Sequence, residues 1–238
     1  MKSILMLLTF MTVSAAHAIS PEEILKKADR IRSLQYAHSL KCVVEATGEA
    51  DAPKSIFKVS VKNADISLVE QLSPERLKGR KVLLNGENLW MTTPNIKRPT
   101  RVSLEQRLTG QVANGDLVRA QFANDYSSTL EGEEKVRGKN VYKLKLVAKT
   151  KNVTYAQIEY FVEKNTYYPI EAHFFAISGK LLKTAVYSDF KKILGNPLVT
   201  KIFIQDAIQK QNQSLVIFSN FKKENFGDSY FDKEALNQ

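Results

Sequence analysis

The chain has 238 residues, with 35 lysines and arginines, 25 aspartates and glutamates, three histidines and one cysteine. A formal charge of +10 favours anionic partners such as phospholipid headgroups, lipopolysaccharide or nucleic acid. A single cysteine excludes an internal disulfide, and the absence of an HExxH pattern argues against a zinc site.

Residues 1–18 read as a cleavable signal peptide. Lys2 is a minimal basic start, and Ile4 to Ala15 is an apolar run too short to span a bilayer. Ala16-His17-Ala18 is a small-x-small cleavage site. Cleavage after Ala18 leaves one domain, residues 19–238. Losing Lys2 takes 35 basic residues to 34, and 34 against 25 acidic residues gives +9. Cys42 lies too far from the cleavage site to be an acylated N-terminal cysteine. Within LKCVVEA it reads as a buried small hydrophobe. These features predict the periplasm of a Gram-negative cell, where nucleic acid is not an expected partner.

Ser20-Pro21-Glu22-Glu23 is a helix start: a capping serine, proline at the first helical position, and Glu23 to close a capping box. Ile24, Leu25, Ala28 and Ile31 then share one face, so the spacing predicts an amphipathic helix over about Pro21 to Leu34.

From Leu40 the period becomes two. Phe57, Val59 and Val61 alternate with Lys58, Ser60 and Lys62, and a further strand runs from Ala64 to Gln71. Val82 to Leu84 and Asn88 to Thr92 form a hairpin around Asn85-Gly86, a pair suited to a primed turn. The second arm carries Trp90, the only tryptophan. Pro94 is expected to end that arm, with Lys97, Arg98 and Arg101 on a basic exit. Tyr142, Leu144 and Leu146 mark another strand, as do Ile158, Tyr160 and Val162, then Ile170, Ala172 and Phe174. Three more follow, around Leu181 to Phe190, Leu198 to Asp206 and Ser214 to Phe221. The short turns between them indicate an antiparallel meander.

Leu104 to Tyr126 breaks the alternation. Two short helical turns are expected there, around Leu104 to Leu108 and Asp116 to Phe122. An insert this long inside a compact sheet is either a mobile cover or a plug. As a cover, Leu104, Leu108, Leu117, Val118 and Phe122 lie on bound chains, Arg107 and Arg119 meet anionic headgroups, and Gly110 and Gly115 act as hinges.

About eleven strands and one strong helix do not make a two-sheet sandwich. One mainly β, single large curved antiparallel sheet is expected, with the helix stripe on its concave side, and the space between them is either a filled core or an apolar cavity, which periodicity does not separate.

Several segments together resemble the outer-membrane lipoprotein-sorting proteins of the LolA/LolB-like superfamily. They are Asn85-Gly86 with Asn88-Leu89-Trp90, Pro94, Lys97-Arg98, Arg101-Val102-Ser103, Val136 to Leu146, Tyr168 to Phe190 and Leu215 to Phe221. The resemblance implies an incomplete, half-open β-barrel closed by helices around a cavity for lipid or lipoprotein acyl chains. It also implies a periplasmic carrier, with an inner-membrane lipid exporter as a candidate partner. The expected cavity residues are Phe57, Val59, Trp90, Tyr142, Leu144, Tyr160 and Phe174, with Trp90 placed there mainly by the resemblance. Leu108, Leu117 and Phe122 are the expected lid, and Lys97, Arg98 and Arg101 the anionic headgroup contacts.

There is no GxSxG elbow and no glycine-rich phosphate loop. His173, beside Glu171, reads as solvent-facing. A monomer without metal, cofactor or catalytic residues is expected. The competing reading is a non-enzymatic structural or sensory module that binds a protein partner.

Overall fold

A computed structural model describes residues 19–48, 54–119 and 121–237. The expected signal peptide lies outside the described residues. The first element is helix α1, Pro21–Arg32. Ser20 caps it, its hydroxyl accepting the Glu23 N–H at 3.2 Å. The capping box is not closed reciprocally, because the Glu23 carboxylate turns to Lys27 at 3.1 Å instead. Ile24, Leu25, Ala28 and Ile31 are buried, each large one contributing roughly 1.5–3 kcal/mol.

Most of the rest is one antiparallel sheet. Its first limb comprises β1 (His38–Thr47), β2 (Ser55–Asn63), β3 (Ile66–Ser73), β4 (Lys81–Asn85), β5 (Asn88–Thr93) and β6 (Ile96–Arg101). The insert follows, with β7 (Arg107–Thr109), β8 (Val112–Ala113) and helix α2 (Asn114–Val118). The second limb comprises β9 (Tyr126–Val136), β10 (Lys139–Ala148), β11 (Gln157–Glu163), β12 (Pro169–Phe175), β13 (Leu181–Ile193), β14 (Asn196–Asp206) and β15 (Gln213–Lys223). The limbs join where β1 pairs with β15, giving a sheet of 13 strands whose edges are β6 and β9. It is not closed, and forms a half-open barrel.

Two local expectations are corrected. Pro94 does turn the chain, but Lys97, Arg98 and Arg101 fall on β6, because the chain pairs back onto β5 with Trp90 opposite Arg101. The insert holds one helical turn rather than two, preceded by the small β7–β8 ribbon.

Period two sorts the side chains. The inner face carries Cys42, Val44, Phe57, Val59, Val69, Val82, Leu84, Leu144, Leu146, Tyr160, Phe174 and Tyr187 in one cluster with the α1 stripe. On the outer face, Leu68 and Leu83 gather a second cluster with Phe231 and Leu236 of the C-terminal segment. Burial pushes the Cys42 thiol well above its usual range, as expected for an inert small hydrophobe.

Candidate functional site

The inner face is the candidate site. Phe57, Val59, Leu144, Tyr160 and Phe174 lie within the main apolar cluster, and Tyr142 packs against it half-buried. Trp90 does not join them. Leu89 and Met91 face inward, so alternation turns Trp90 outward onto Leu68, Leu83 and Phe231. There the Lys233 ammonium lies 3.9 Å from its ring centroid and the Arg101 guanidinium 5.5 Å. Arg101 is thus paired with the outer aromatic cluster, and Arg98 is exposed on the edge strand.

The insert crosses the inner face. Leu104, Leu108, Leu117, Val118 and Phe122 are all buried in the main cluster. Polar ties fix its course. Ser67 Oγ donates to the Val118 carbonyl at 2.8 Å, and the Gln111 N–H donates to Ser214 Oγ at 2.9 Å. Arg119 pairs with Asp125 and donates to the Gly86 carbonyl at 3.2 Å. Arg107 is exposed and off this face. Gly110 and Gly115 both stand where the backbone is closely approached. A Cβ on Gly115 would lie 1.8 Å from Thr154 Oγ1, and one on Gly110 2.7 Å from the Ala46 Cβ.

Two buried ionic groups hold the insert. Asp29 Oδ2 accepts the N–H groups of Phe122 and Ala123, both at 2.8 Å. Its other oxygen lies 3.6 Å from Arg32, whose guanidinium stands 3.6 Å over the Phe122 ring. Burial pushes the Asp29 carboxyl up to about 6, against the attraction of Arg32 and the two N–H groups. Phe122 also meets Tyr126 and Tyr160 edge-on, at 5.6 and 5.5 Å.

The second group is Lys183, which donates to Asp116 Oδ2 and to the Gln111 carbonyl, both at 2.7 Å. Asp116 accepts further from the Tyr155 hydroxyl at 2.7 Å and the Ala113 N–H at 2.8 Å. Burial holds the Tyr155 hydroxyl well above its ordinary pKa. The sequence contained a signal for both groups. Asp29 stands four residues after Leu25, on the buried stripe, and Lys183 alternates with Ala185 and Tyr187.

Two grooves flank the covered face. A polar one of about 710 Å³ runs along the seam between the limbs, lined by Lys26, Glu87, Arg119, Asp125, Ser127 and Asn152 among others. Asn152 Nδ2 donates across this seam to the Glu87 carbonyl. An apolar one of about 640 Å³ opens at the barrel rim, lined by Val147, Val153, Tyr155, Phe175, Ile177 and Leu182, with Glu105 of the insert beside them. Tyr155 is its inner wall and packs on Phe174 of the core at 4.3 Å between centroids. Neither groove is lined by Arg98 or Arg101. His173 sits outward between Glu171 at 2.8 Å and Glu159 at 3.1 Å.

The chain resembles several solved structures over most of its length. A LolA superfamily protein from Nitrosomonas europaea is 33% identical, with a TM-score of 0.86 over 92% of this chain and 100% of its own. A putative outer membrane lipoprotein-sorting protein domain from Vibrio parahaemolyticus is 18% identical, with a TM-score of 0.79 over 92% of this chain and 98% of its own. A DUF1329 family protein from Desulfovibrio piger is 21% identical, with a TM-score of 0.78 over 91% and 97%. The last two show a common fold. A family model described as "-like: Uncharacterized protein" matches residues 63–238. No curated protein matches the chain. Among the described residues, no helix is long and apolar enough to cross a membrane.

Proposed function

The chain belongs to the LolA superfamily, and from that premise we propose that it is a non-enzymatic periplasmic carrier for the acyl chains of lipids or lipoproteins. In this reading it reaches the periplasm through a cleaved signal peptide. It takes cargo from an inner-membrane lipid exporter and delivers it toward the outer membrane. The observation that carries the reading is the covering of the inner face. A continuous apolar surface from Phe57 to Phe174 is covered by α1 and the insert rather than by further strands. Such a cover can be displaced without breaking the ladder of the sheet.

Each methylene transferred from water to an apolar surface contributes about 0.8 kcal/mol, so part of one chain gives useful affinity. The rim groove, whose inner wall is Tyr155, is the proposed entry. Phe57, Val59, Tyr142, Leu144, Tyr160 and Phe174 are the proposed chain contacts, and Leu108, Leu117 and Phe122 the cover. A cover must come from the less stable part of a fold. The buried pairs Asp29–Arg32 and Lys183–Asp116 are its proposed latches.

Native mass spectrometry after gentle extraction tests the carrier reading. The expected result is a mass increment from an acyl-bearing lipid, displaced by a fluorescent fatty acid. A bare protein mass, with no fatty acid binding at saturating probe, overturns it.

A further inference from the structure

The barrel end that carries the rim groove also presents two bare isoleucines. The β10–β11 loop, the β12–β13 turn and the β14–β15 turn all lie at that end, because consecutive strands of the meander run antiparallel. Ile177 at the β12–β13 tip is 90% exposed, and Ile208 at the β14–β15 tip is 67% exposed. Scattered exposed apolar side chains are ordinary. These two are tips of hairpins joined through one shared strand pair, since the Ala207 N–H donates to the Leu182 carbonyl at 2.9 Å. Leu182 and Val147, themselves exposed, continue the patch into the groove.

Both tips are held by structured turns. The Ala176 N–H donates to the Lys180 carbonyl and the Gly179 N–H to the Ala176 carbonyl, each at 2.9 Å. Asp206 Oδ1 accepts the N–H groups of Ile208 and Gln209, both at 2.8 Å. Gln205 and Gln213 brace the same turn by donating to the Lys210 carbonyl, each at 2.9 Å. The Asp206 charge is therefore engaged with backbone at the turn. Lys151, Lys180 and Lys210 are exposed around the tips and form no ion pair among the described residues. Glu105 is the acidic residue that lines the groove itself.

We propose that this end docks on an anionic phospholipid surface, with Ile177 and Ile208 entering the headgroup layer and Lys151, Lys180 and Lys210 meeting lipid phosphates. Apolar tips ringed by cations are complementary to such an interface, where the apolar part enters the acyl boundary and the cations stay at the phosphates. Docked this way, the rim groove opens directly onto the bilayer. The docking surface is distinct from the carrier reading and fails separately from it.

The experiment uses the full chain with vesicles of phosphatidylcholine, or of phosphatidylcholine and phosphatidylglycerol. An Ile177→Cys variant carries a polarity-sensitive dye at the tip, and the buried native Cys42 is shielded from labelling. The dye should shift to the blue on the anionic vesicles, and high salt should reverse the shift. Each Lys→Ala substitution at positions 151, 180 and 210 should weaken anionic binding about fivefold. Ile208→Ser should weaken it about tenfold, and melting curves should match the parent because the side chain is exposed. No blue shift on anionic vesicles overturns the proposal. So does a shift that survives replacement of all three lysines. Fatty acid binding by the same variants reads the carrier proposal alone: it should be unchanged by Ile208→Ser, and its absence in the parent protein would leave the docking result standing.

Discussion

The Asp29 carboxylate and the Phe122 amide, 93 residues apart in the chain and 2.8 Å apart in space, join the N-terminal helix to the insert. The bond is made inside the apolar core, so the charged form of Asp29 is held at a cost. Burial raises its pKa from 3.8 to about 6. Between those values the folded state binds the extra proton. The contribution of this carboxyl to stability is therefore full below about pH 4 and is lost as pH rises through about 6. A shift of that size corresponds to about 3 kcal/mol. Denaturant midpoints of the parent and of Asp29→Asn, compared from pH 4 to pH 7, should show the parent losing about that much relative to the variant. A difference that stays flat across this range would remove the buried-carboxylate account.

Lys183 and Asp116 form the second latch, and here both partners stay in place through several bonds. Lys183→Met keeps the length of the side chain but leaves the Asp116 charge without its cation. Breaking one side of a buried pair costs about 3–5 kcal/mol. Adding Asp116→Asn to Lys183→Met should return part of that loss. Urea unfolding of the parent, the single and the double variant measures it. A single variant as stable as the parent would show that solvent reaches Asp116.

How far the sequence reached follows from which signals are local. Most of the sheet was legible because period two runs from Leu40 to Thr92 and again from Tyr142 to Phe221, and each turn carries its own residues, whereas β9, polar beyond Leu130, has no alternating apolar face to read. The α1 stripe was legible for the same reason at helical spacing. The edge strand β6 was missed because Ile96 to Arg101 has too few apolar residues to alternate, and only its pairing with β5 makes it a strand. The inward expectation for Trp90 came mainly from the family resemblance, which does not carry the facing of a single side chain. Its neighbours Leu89 and Met91, both turned inward, fix it outward by simple alternation. Asp29 and Lys183 could be placed on buried faces by spacing, but their partners in the insert, like that of Ser214, were not legible, because those contacts are distant in sequence.

The outward position of Trp90 makes it a reporter of the C-terminal segment. Lys233 lies 3.9 Å from its ring centroid, and Phe231 closes the same cluster. Saturation with a fatty acid should leave Trp90 emission unchanged. Phe231→Ala should open the cluster to water and shift the emission to the red. A spectrum that responds to fatty acid but not to Phe231→Ala would return Trp90 to the cargo face.

Phe122 decides whether the insert is a cover or a fixed plug. It is buried, meets Tyr126 and Tyr160 edge-on, and lies under the Arg32 guanidinium. Removing a buried phenylalanine ring costs about 3–5 kcal/mol, and a loss of that size lowers the melting midpoint by several degrees. Destabilisation alone therefore separates nothing, since a plug and a cover both lose packing. The separating quantity is the rate of fatty acid uptake. If uptake waits on local release of the insert, Phe122→Ala lowers the free energy of that opening and uptake speeds up by more than about tenfold. Tyr230→Ala is the control, because it loosens the outer cluster and leaves the insert untouched. Stopped-flow mixing of each variant with a fluorescent fatty acid, beside a melt of the same sample, gives both numbers. Faster uptake in Phe122→Ala alone identifies the insert as the cover. Equal uptake rates in the parent and in Phe122→Ala, despite the lower melting point, make it a plug.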